Sequence, residues 1–291
     1  MFLYYIIIRP FLSILSKAPL KVIHILGYIT GNLLFIIPNR HKKITLVNLK
    51  LAFENLKNNE VKDLCKKSLI ETSKTVFESG YVWKKLPGKD LPQTLVVEGF
   101  EDVIKSIDKG DGLILFTPHH ANIEILINFL GKKIDCSVPF SKIKNKHLNT
   151  FVEKARSKMG IDMVDINISG LKNMLNNLKH GKSVAIASDQ VPELSGGEIS
   201  NFFGRPCLSM SLLWRLHSKT KAKIHSMVCI REEKGRGFKI IFSKPLEMPT
   251  MMQEGVDAMN KELEKCIMLA PEQYAWEYKK YRRVGDKDLY K

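Results

Sequence analysis

The sequence has few cysteines and few acidic residues for its size. Its five cysteines are odd in number, scattered along 291 residues and without any C-x-x-C spacing, so they predict reduced thiols in a cytoplasmic compartment instead of a disulfide framework. Aspartate and glutamate number 30 against 46 lysines and arginines, which gives a formal net charge of +16. Such an excess of positive charge predicts an anionic partner: anionic lipid, nucleic acid or an acidic protein.

Three further features are missing from the sequence. It has no internal repeat, no low-complexity segment, and no pair of histidines four residues apart on a helix of the kind that binds zinc in metalloproteases. With 44% hydrophobic residues, the chain is long enough for one substantial core. We therefore expect one main domain with an N-terminal extension, and no bound metal.

The N-terminal extension is strongly apolar over residues 2–37. It has no basic start and no small-residue cleavage site, which argues against a signal peptide. The longest uncharged run, 22–37, is shorter than the span of about 20 residues that crosses a bilayer. A single span, a helical hairpin in the membrane interface and a buried helix are all compatible with it. The basic cluster at 40–43 favours membrane association, so residues 1–43 are predicted to be a membrane-associated helical segment and 44–291 the main domain.

The larger domain shows an alternation of strand and helix patterns after a helical stretch at 44–86. This alternation predicts an α/β fold with a mixed, largely parallel central sheet covered by helices. We expect a hairpin of strands 223–230 and 238–242 at the sheet edge, with a long amphipathic helix near the C-terminus. The predicted strands before the hairpin are 94–97, 113–116, 134–138, 161–164 and 184–187, and the predicted helices are 99–110, 123–130, 146–159, 168–179, 210–219 and 256–269.

Two histidines stand where an apolar strand gives way to an amphipathic helix. The strand ends at Pro118, His119 follows it, and Glu124 falls in the first turn of the helix. The spacing lets His119 act as a base with Glu124 as the group that orients it and favours its protonated form. A histidine at a strand end is also common as a purely structural residue, so this spacing alone leaves both interpretations open.

The run His119-His120-Ala121-Asn122-Ile123-Glu124 resembles the H-x4-D/E motif of the late acyltransferases of lipid A biosynthesis. Four further stretches resemble the same family in the same order, so that the resemblance covers residues 44–283. They are Asn48-Leu49 with Ala52-Phe53; Asn145 with Arg156 ahead of Gly160; Asp189-Gln190 with Phe202-Phe203-Gly204; and Pro271-Glu272-Gln273-Tyr274-Ala275-Trp276, where Tyr278 replaces the usual histidine.

The resemblance implies a membrane-bound enzyme that moves a fatty acyl chain from acyl carrier protein to a 3-hydroxyacyl hydroxyl of a Kdo-bearing lipid A precursor. Its active site would face the cytoplasm at the inner membrane. The carrier protein, the anionic glycolipid and membrane lipid would be its partners, with acyl carrier protein as co-substrate and no cofactor. It implies catalytic roles for His119 and Glu124, and substrate-binding roles for Asn122, Asn145, Arg156, Asp189, Gln190, Phe203 and Gly204.

Two other functions fit parts of the sequence. A glycerolipid or other glycolipid acyltransferase would share the H-x4-E chemistry. An RNA-binding protein would use the net charge of +16 for phosphate contacts and the C-terminal aromatic residues as a stacking surface. The sequence contains no RNP or KH motif, and an RNA-binding function does not explain the apolar N-terminus. We therefore expect no nucleic-acid partner.

Overall fold

The computed structural model describes residues 4–286 and 288–291. Two short π-helical segments, Tyr4–Ile8 and Tyr81–Lys85, flank the N-terminal helices. The described residues form ten α-helices, which are α1 (Arg9–Lys17), α2 (Leu20–Ile36), α3 (Arg40–Ala52), α4 (Asn58–Phe77), α5 (Phe100–Asp108), α6 (Ile123–Lys133), α7 (Lys146–Lys158), α8 (Ile168–Lys179), α9 (Leu212–Thr220) and α10 (Met252–Met268).

A seven-stranded sheet runs through the described part of the chain in the order β1-β9-β8-β2-β5-β3-β4, beside a separate two-stranded hairpin, β6-β7. Every pairing in the larger sheet is parallel except that of β8 with β9. The strands are β1 (Leu95–Glu98), β2 (Leu113–Thr117), β3 (Cys136–Phe140), β4 (Asp162–Asp165), β5 (Ser183–Ala187), β6 (Gly197–Phe202), β7 (Arg205–Met210), β8 (Lys223–Arg231) and β9 (Phe238–Phe242).

The central strand β2 explains why the sheet must be covered on both faces. All five of its residues are buried, and a short apolar run of this kind is typical of a parallel strand between two layers of helices. The residues of β2 divide between two hydrophobic clusters: Ile114 and Phe116 face one, and Leu113 and Leu115 face the other. The predicted α/β class with a largely parallel mixed sheet is therefore confirmed.

Two details of the predicted topology were wrong. The hairpin of β8 and β9 does not form the sheet edge, because β1 pairs in parallel with the outer side of β9 and β2 pairs with β8. Residues 197–210, for which the sequence predicts no strand or helix over 197–209 and a helix from 210, form the antiparallel β6-β7 hairpin. Its tip, Phe203-Gly204, has positive φ at both positions (49° and 72°), which is the backbone of a two-residue type I′ turn.

The apolar helix α2 is docked on α4 along a narrow face. A Cβ atom on Gly27 would lie 2.6 Å from the Cα of Lys74, and one on Gly31 would lie 2.3 Å from the Cα of Ile70. The two glycines therefore allow the helix backbones to approach closely. The remaining faces of α2 expose large apolar side chains, among them Ile25 (57%), Ile29 (52%) and Ile36 (71%).

In the described residues, no single helix has both the length and the apolar character needed to cross a membrane. Helices α2 and α3 meet these requirements only when taken together, and an 82° bend separates them.

Candidate active site

His119 lies at the carboxyl end of β2, beside a residue that follows the neighbouring strand β5. The pairing of Thr117 with Ala187 and the hydrogen bond from Ser188 N to Thr117 O bring the two strand ends together. The imidazole Nδ1 of His119 is 2.6 Å from Oδ1 of Asp189, and the backbone N–H of His119 donates to Oδ2 at 3.0 Å. The carboxylate of Asp189 thus holds both the ring and the backbone of His119.

The pair is arranged so that Nε2 of His119 is the nitrogen that can accept a proton. When Nδ1–H donates to Asp189, the lone pair of a neutral imidazole lies on Nε2, and the side-chain nitrogen of Gln190 is 3.3 Å from it. The His119 side chain is 30% exposed, whereas that of Asp189 is 3% exposed. The imidazole therefore faces the solvent side and the carboxylate lies behind it.

Burial and charge act in opposite directions on this pair. Burial lowers the pKa of His119, but the charge and hydrogen bond of Asp189 outweigh it and raise the pKa above 6.5. Burial raises the pKa of Asp189, but the charge and hydrogen bonds of His119 outweigh it and lower the pKa below 3.8. The imidazolium form of His119 is therefore stabilised, as a base that must hold a proton during a reaction requires.

Glu124 does not occupy the position next to His119 that the sequence predicted. Its carboxylate forms a two-pronged ion pair with Arg156, with Oε1 2.5 Å from Nη2 and Oε2 3.1 Å from Nε. The backbone N–H of Glu124 donates to the side chain of Asn122, which fixes Glu124 in the first turn of α6. This geometry corrects the predicted role of Glu124 as orienting group: Asp189 contacts the imidazole, and Glu124 contacts α7.

His119 and Glu124 nevertheless line the same cleft, which has a volume of about 520 Å³. It lies between α1, α4, the segment 81–85 and the start of α6. The walls are largely apolar, and their composition suits a hydrocarbon chain. The apolar lining includes Ile8, Phe11, Leu12, Val76, Val82, Trp83, Ile123 and Leu148.

A second carboxyl group, Glu277, lines the cleft and was not identified from the sequence. Thr72 donates to its two oxygens at 3.3 and 3.2 Å, and burial raises its pKa above 4.5. Glu277 belongs to the C-terminal segment. This segment is held next to His119, because the N–H of Ala275 donates to the carbonyl of His119.

The other predicted substrate-binding residues have structural partners. Asn122 caps α6 and donates to Glu78 at 2.9 Å, and Asn145 caps α7 by accepting from two backbone N–H groups. Phe203 and Gly204 form the turn of the β6-β7 hairpin, where the ring of Phe203 packs against Trp276, and neither is among the described residues that line the cleft. Of the predicted set, the structure brings Asn122, Glu124, Asp189 and Gln190 to the surroundings of His119.

A buried polar cluster next to the turn that follows His119 was also missed. Glu78 accepts from Nε of Arg231 at 2.6 Å, lies 2.7 Å from Nε2 of His24 and accepts from Asn122. The second carboxylate on Arg231 is Glu71, at 2.6 Å. We call Glu78, Arg231, His24 and Glu71 the Glu78 cluster; it connects α2, α4 and β8 to the first residues of α6.

Two expectations about ligands can be compared with the side chains. The described residues contain no group of three or more His, Cys, Asp or Glu side chains placed to hold a metal ion. The C-terminal aromatic residues Tyr274, Trp276 and Tyr281 are 3%, 1% and 3% exposed, whereas Tyr278 is half-buried.

Comparisons with known proteins point to one family over almost the whole chain. A family described as bacterial lipid A biosynthesis acyltransferase matches residues 1–283. The chain is 26% identical over 277 residues to the lipid A biosynthesis lauroyltransferase of Escherichia coli, with 93% of this chain and 89% of that protein covered. It is 24% identical over 280 residues to the E. coli lipid A biosynthesis palmitoleoyltransferase, with 94% and 90% covered. A lipid A biosynthesis acyltransferase of Haemophilus influenzae is 23% identical over 251 residues, with 85% and 79% covered.

Proposed function

The chain belongs to the bacterial lipid A biosynthesis acyltransferase family, and from this premise we propose that it uses acyl carrier protein as its acyl donor. The acceptor is a hydroxyl group on a 3-hydroxyacyl chain of a Kdo-bearing lipid A precursor. Membership makes the protein an acyltransferase; the donor, the acceptor and the roles of individual residues are the parts that we propose.

In the proposed reaction, Nε2 of His119 accepts the proton of the acceptor hydroxyl as its oxygen attacks the thioester carbonyl. The resulting imidazolium is stabilised by Asp189, which contacts Nδ1 at 2.6 Å. When the tetrahedral intermediate collapses, the C–S bond breaks, and the imidazolium returns the proton to the leaving thiolate. The products are an ester and the free thiol of the carrier, and no cofactor takes part.

The oxyanion of the intermediate needs hydrogen-bond donors or a positive potential. The start of α6 lines the cleft at Ile123, and a helix N-terminus supplies the positive end of the helix dipole. We assign Glu124 and Arg156 a positioning role, since their ion pair ties this helix start to α7. Arg156, whose guanidinium is already paired, is therefore a weaker candidate for an anion contact than the sequence indicated.

We also propose that the protein works at the cytoplasmic face of the inner membrane, with membrane lipid as a partner. Helix α2 exposes a broad apolar surface, and Arg40, His41, Lys42 and Lys43 begin the next helix. An apolar surface next to a basic cluster is suited to the boundary between acyl chains and anionic headgroups. The acyl chain of the acceptor can then reach the apolar cleft without leaving the bilayer.

The observation that carries the proposal is the His119–Asp189 pair at the edge of an apolar cleft. The test is incubation of the purified protein with acyl carrier protein charged with a fatty acid and with the Kdo-bearing precursor, followed by mass spectrometry of the lipid. We expect the precursor to gain the mass of one acyl chain. Glycerol 3-phosphate, offered as a competing acceptor, tests the alternative acyltransferase function; acylation of that acceptor alone contradicts the proposal.

A further inference from the structure

A second cavity of about 420 Å³ lies next to the apolar cleft, and its wall is rich in positive charge. Arg9 of α1, Lys84 of the segment 81–85 and Lys154 of α7 line it together with His147. Leu12 lines this cavity and the apolar cleft alike, so the two spaces adjoin. We call this space the cationic cavity.

Within the described part of the chain, no acidic side chain pairs with the cations that line the cationic cavity. No aspartate or glutamate is among the described residues that line it, and Arg9, Lys84 and Lys154 form no ion pair within residues 4–286 and 288–291. Other lysines of the protein do have such partners: Lys105 pairs with Asp102 and Lys182 with Asp135. Three cations around one cavity repel each other, and an anion placed among them relieves that repulsion.

The position of Lys84 is held by a contact that brings it toward Arg9. The ammonium group of Lys84 donates to Oγ of Ser13, and this hydroxyl in turn donates to the backbone carbonyl of Arg9 one helical turn earlier. The fold thus holds Lys84 against the helix that carries Arg9. Lys154 comes from a distant part of the sequence, so the convergence of charge is a property of the tertiary structure.

We propose that the cationic cavity binds a phosphate group of a substrate whose hydrocarbon chain lies in the apolar cleft. Arginine and lysine are the side chains that bind phosphate most effectively, through charge-assisted hydrogen bonds. The inference rests on the proposed function, in which both substrates carry phosphate: a phosphodiester on the carrier's pantetheine arm and phosphate esters on the glycolipid acceptor.

The first experiment measures binding without any reaction. Decyl phosphate and the uncharged decyl glucoside, each below its micelle concentration, are titrated into the full-length protein, and tryptophan fluorescence is followed because Trp83 lines the cleft. We expect the wild type to prefer decyl phosphate by about 10-fold to 100-fold, the range for losing a hydrogen bond to a charged group. The Lys84→Ala/Lys154→Ala variant loses this preference, and Lys84→Arg/Lys154→Arg keeps it.

A matched control removes the same charge elsewhere. Lys172 and Lys179 are exposed on α8, and neither forms an ion pair within the described residues. Lys172→Ala/Lys179→Ala should keep the preference for decyl phosphate. Equal affinity of the wild type for both amphiphiles, a preference retained by Lys84→Ala/Lys154→Ala, or one lost equally in the control overturns the proposal.

The second experiment identifies which substrate supplies the phosphate. Acyl transfer is measured with acyl carrier protein or with the phosphate-free acyl N-acetylcysteamine thioester as donor, and with phosphorylated or dephosphorylated acceptor. The Lys84→Ala/Lys154→Ala variant should raise the KM of one phosphate-bearing substrate about 10-fold or more and leave kcat nearly unchanged. A rise in KM that persists when neither substrate carries phosphate contradicts the proposal. If the wild type binds decyl phosphate selectively but transfers no acyl chain, the proposed function fails while the phosphate site stands.

Discussion

Two buried carboxylates lie on either side of the turn that carries His119, and they differ in the group that neutralises them. Asp189 is 2% exposed and faces the imidazole of His119. Glu78 is fully buried and faces the guanidinium of Arg231, with His24 and Asn122 as further partners. Asp189 therefore helps to fix His119 at the end of β2, and Glu78 helps to fix Asn122 at the start of α6.

The difference shows how burial of a carboxylate relates to function. Burial raises the pKa of Glu78, but the charge and hydrogen bonds of Arg231 outweigh it and lower the pKa to about 2. Arginine does not release its proton in the working pH range, so the Glu78–Arg231 pair can position groups but cannot move a proton. His119 can do so, and its side chain reaches the cleft. The partner's ability to exchange a proton thus separates the pair that we propose to react from the pair that positions other groups.

The largest effect is expected for His119→Ala, which removes the proton acceptor. Because general-base catalysis contributes about 10²-fold to 10⁴-fold in rate, acyl transfer should fall by that factor. Removal of the imidazole also leaves the buried carboxylate of Asp189 without that partner, so the unfolding temperature should fall as well. Steady-state kinetics and a thermal unfolding curve check both parts. His180→Ala, at an exposed histidine after α8, is the matched control and should retain full rate. Full activity of His119→Ala excludes the proposed mechanism.

Glu78→Gln should mainly reduce stability. The substitution leaves the buried Arg231 with Glu71 as its remaining carboxylate partner among the described residues, and breaking a buried ion pair in this way costs up to about 3–5 kcal/mol in the free energy of unfolding. Urea denaturation at pH 7 measures the loss.

The pH dependence of that loss has a definite sign. Because folding lowers the pKa of Glu78 from 4.5 to about 2, its ionised form contributes stability that is fully present above pH 4.5 and disappears as the pH falls toward 2. The difference between wild type and Glu78→Gln should therefore shrink over this interval. A constant difference down to pH 2 contradicts the assignment of the charge to Glu78.

Asp189→Asn should change the pH profile as well as the rate. The charge of Asp189 raises the pKa of His119, and the neutral imidazole is the active form, so activity of the wild type rises with pH through that raised pKa. In Asp189→Asn the acidic limb of kcat/KM should move to lower pH while the maximum rate falls on the order of 10²-fold. Glu124→Gln removes a carboxylate that does not contact the imidazole, so the acidic limb of the kcat/KM profile of this variant should coincide with that of the wild type. Movement of the limb in Glu124→Gln alone would restore the pairing first expected from the sequence.

The position of His119 could be predicted from the sequence, whereas the identity of its partner could not. An apolar strand that stops at Pro118 and a helix that starts at Asn122 place the histidine at a strand end. Asp189 follows another strand, so its presence in the same crevice was also predictable. The direct contact depends on β5 lying next to β2, and the order of strands in a sheet is not encoded locally. Glu124 was favoured because it is near in sequence.

The Glu78 cluster shows the same limit more clearly. Glu78 and Arg231 are 153 positions apart, and each has the local pattern of a solvent-facing charge at the end of an apolar element. Only the packing of α4 against the end of β8 makes them partners. Phe203 illustrates a different limit. A bulky residue with a φ of 49° is uncommon, so its place in a tight turn could not be predicted from its residue type.

The smallest effect is expected for His24→Leu, which tests how much of the Glu78 cluster depends on the apolar helix α2. The imidazole contributes one of the contacts to Glu78, and Arg231 and Asn122 remain after its removal. The free energy of unfolding should therefore fall by about 1.5–3 kcal/mol, the value of one hydrogen bond to a charged group, and His24→Gln should recover part of it by donating from its amide. Urea denaturation of both variants beside Glu78→Gln measures the ranking. If His24→Leu costs as much as Glu78→Gln, the imidazole and not Arg231 neutralises the carboxylate, and both carboxylates beside the turn then depend on a histidine.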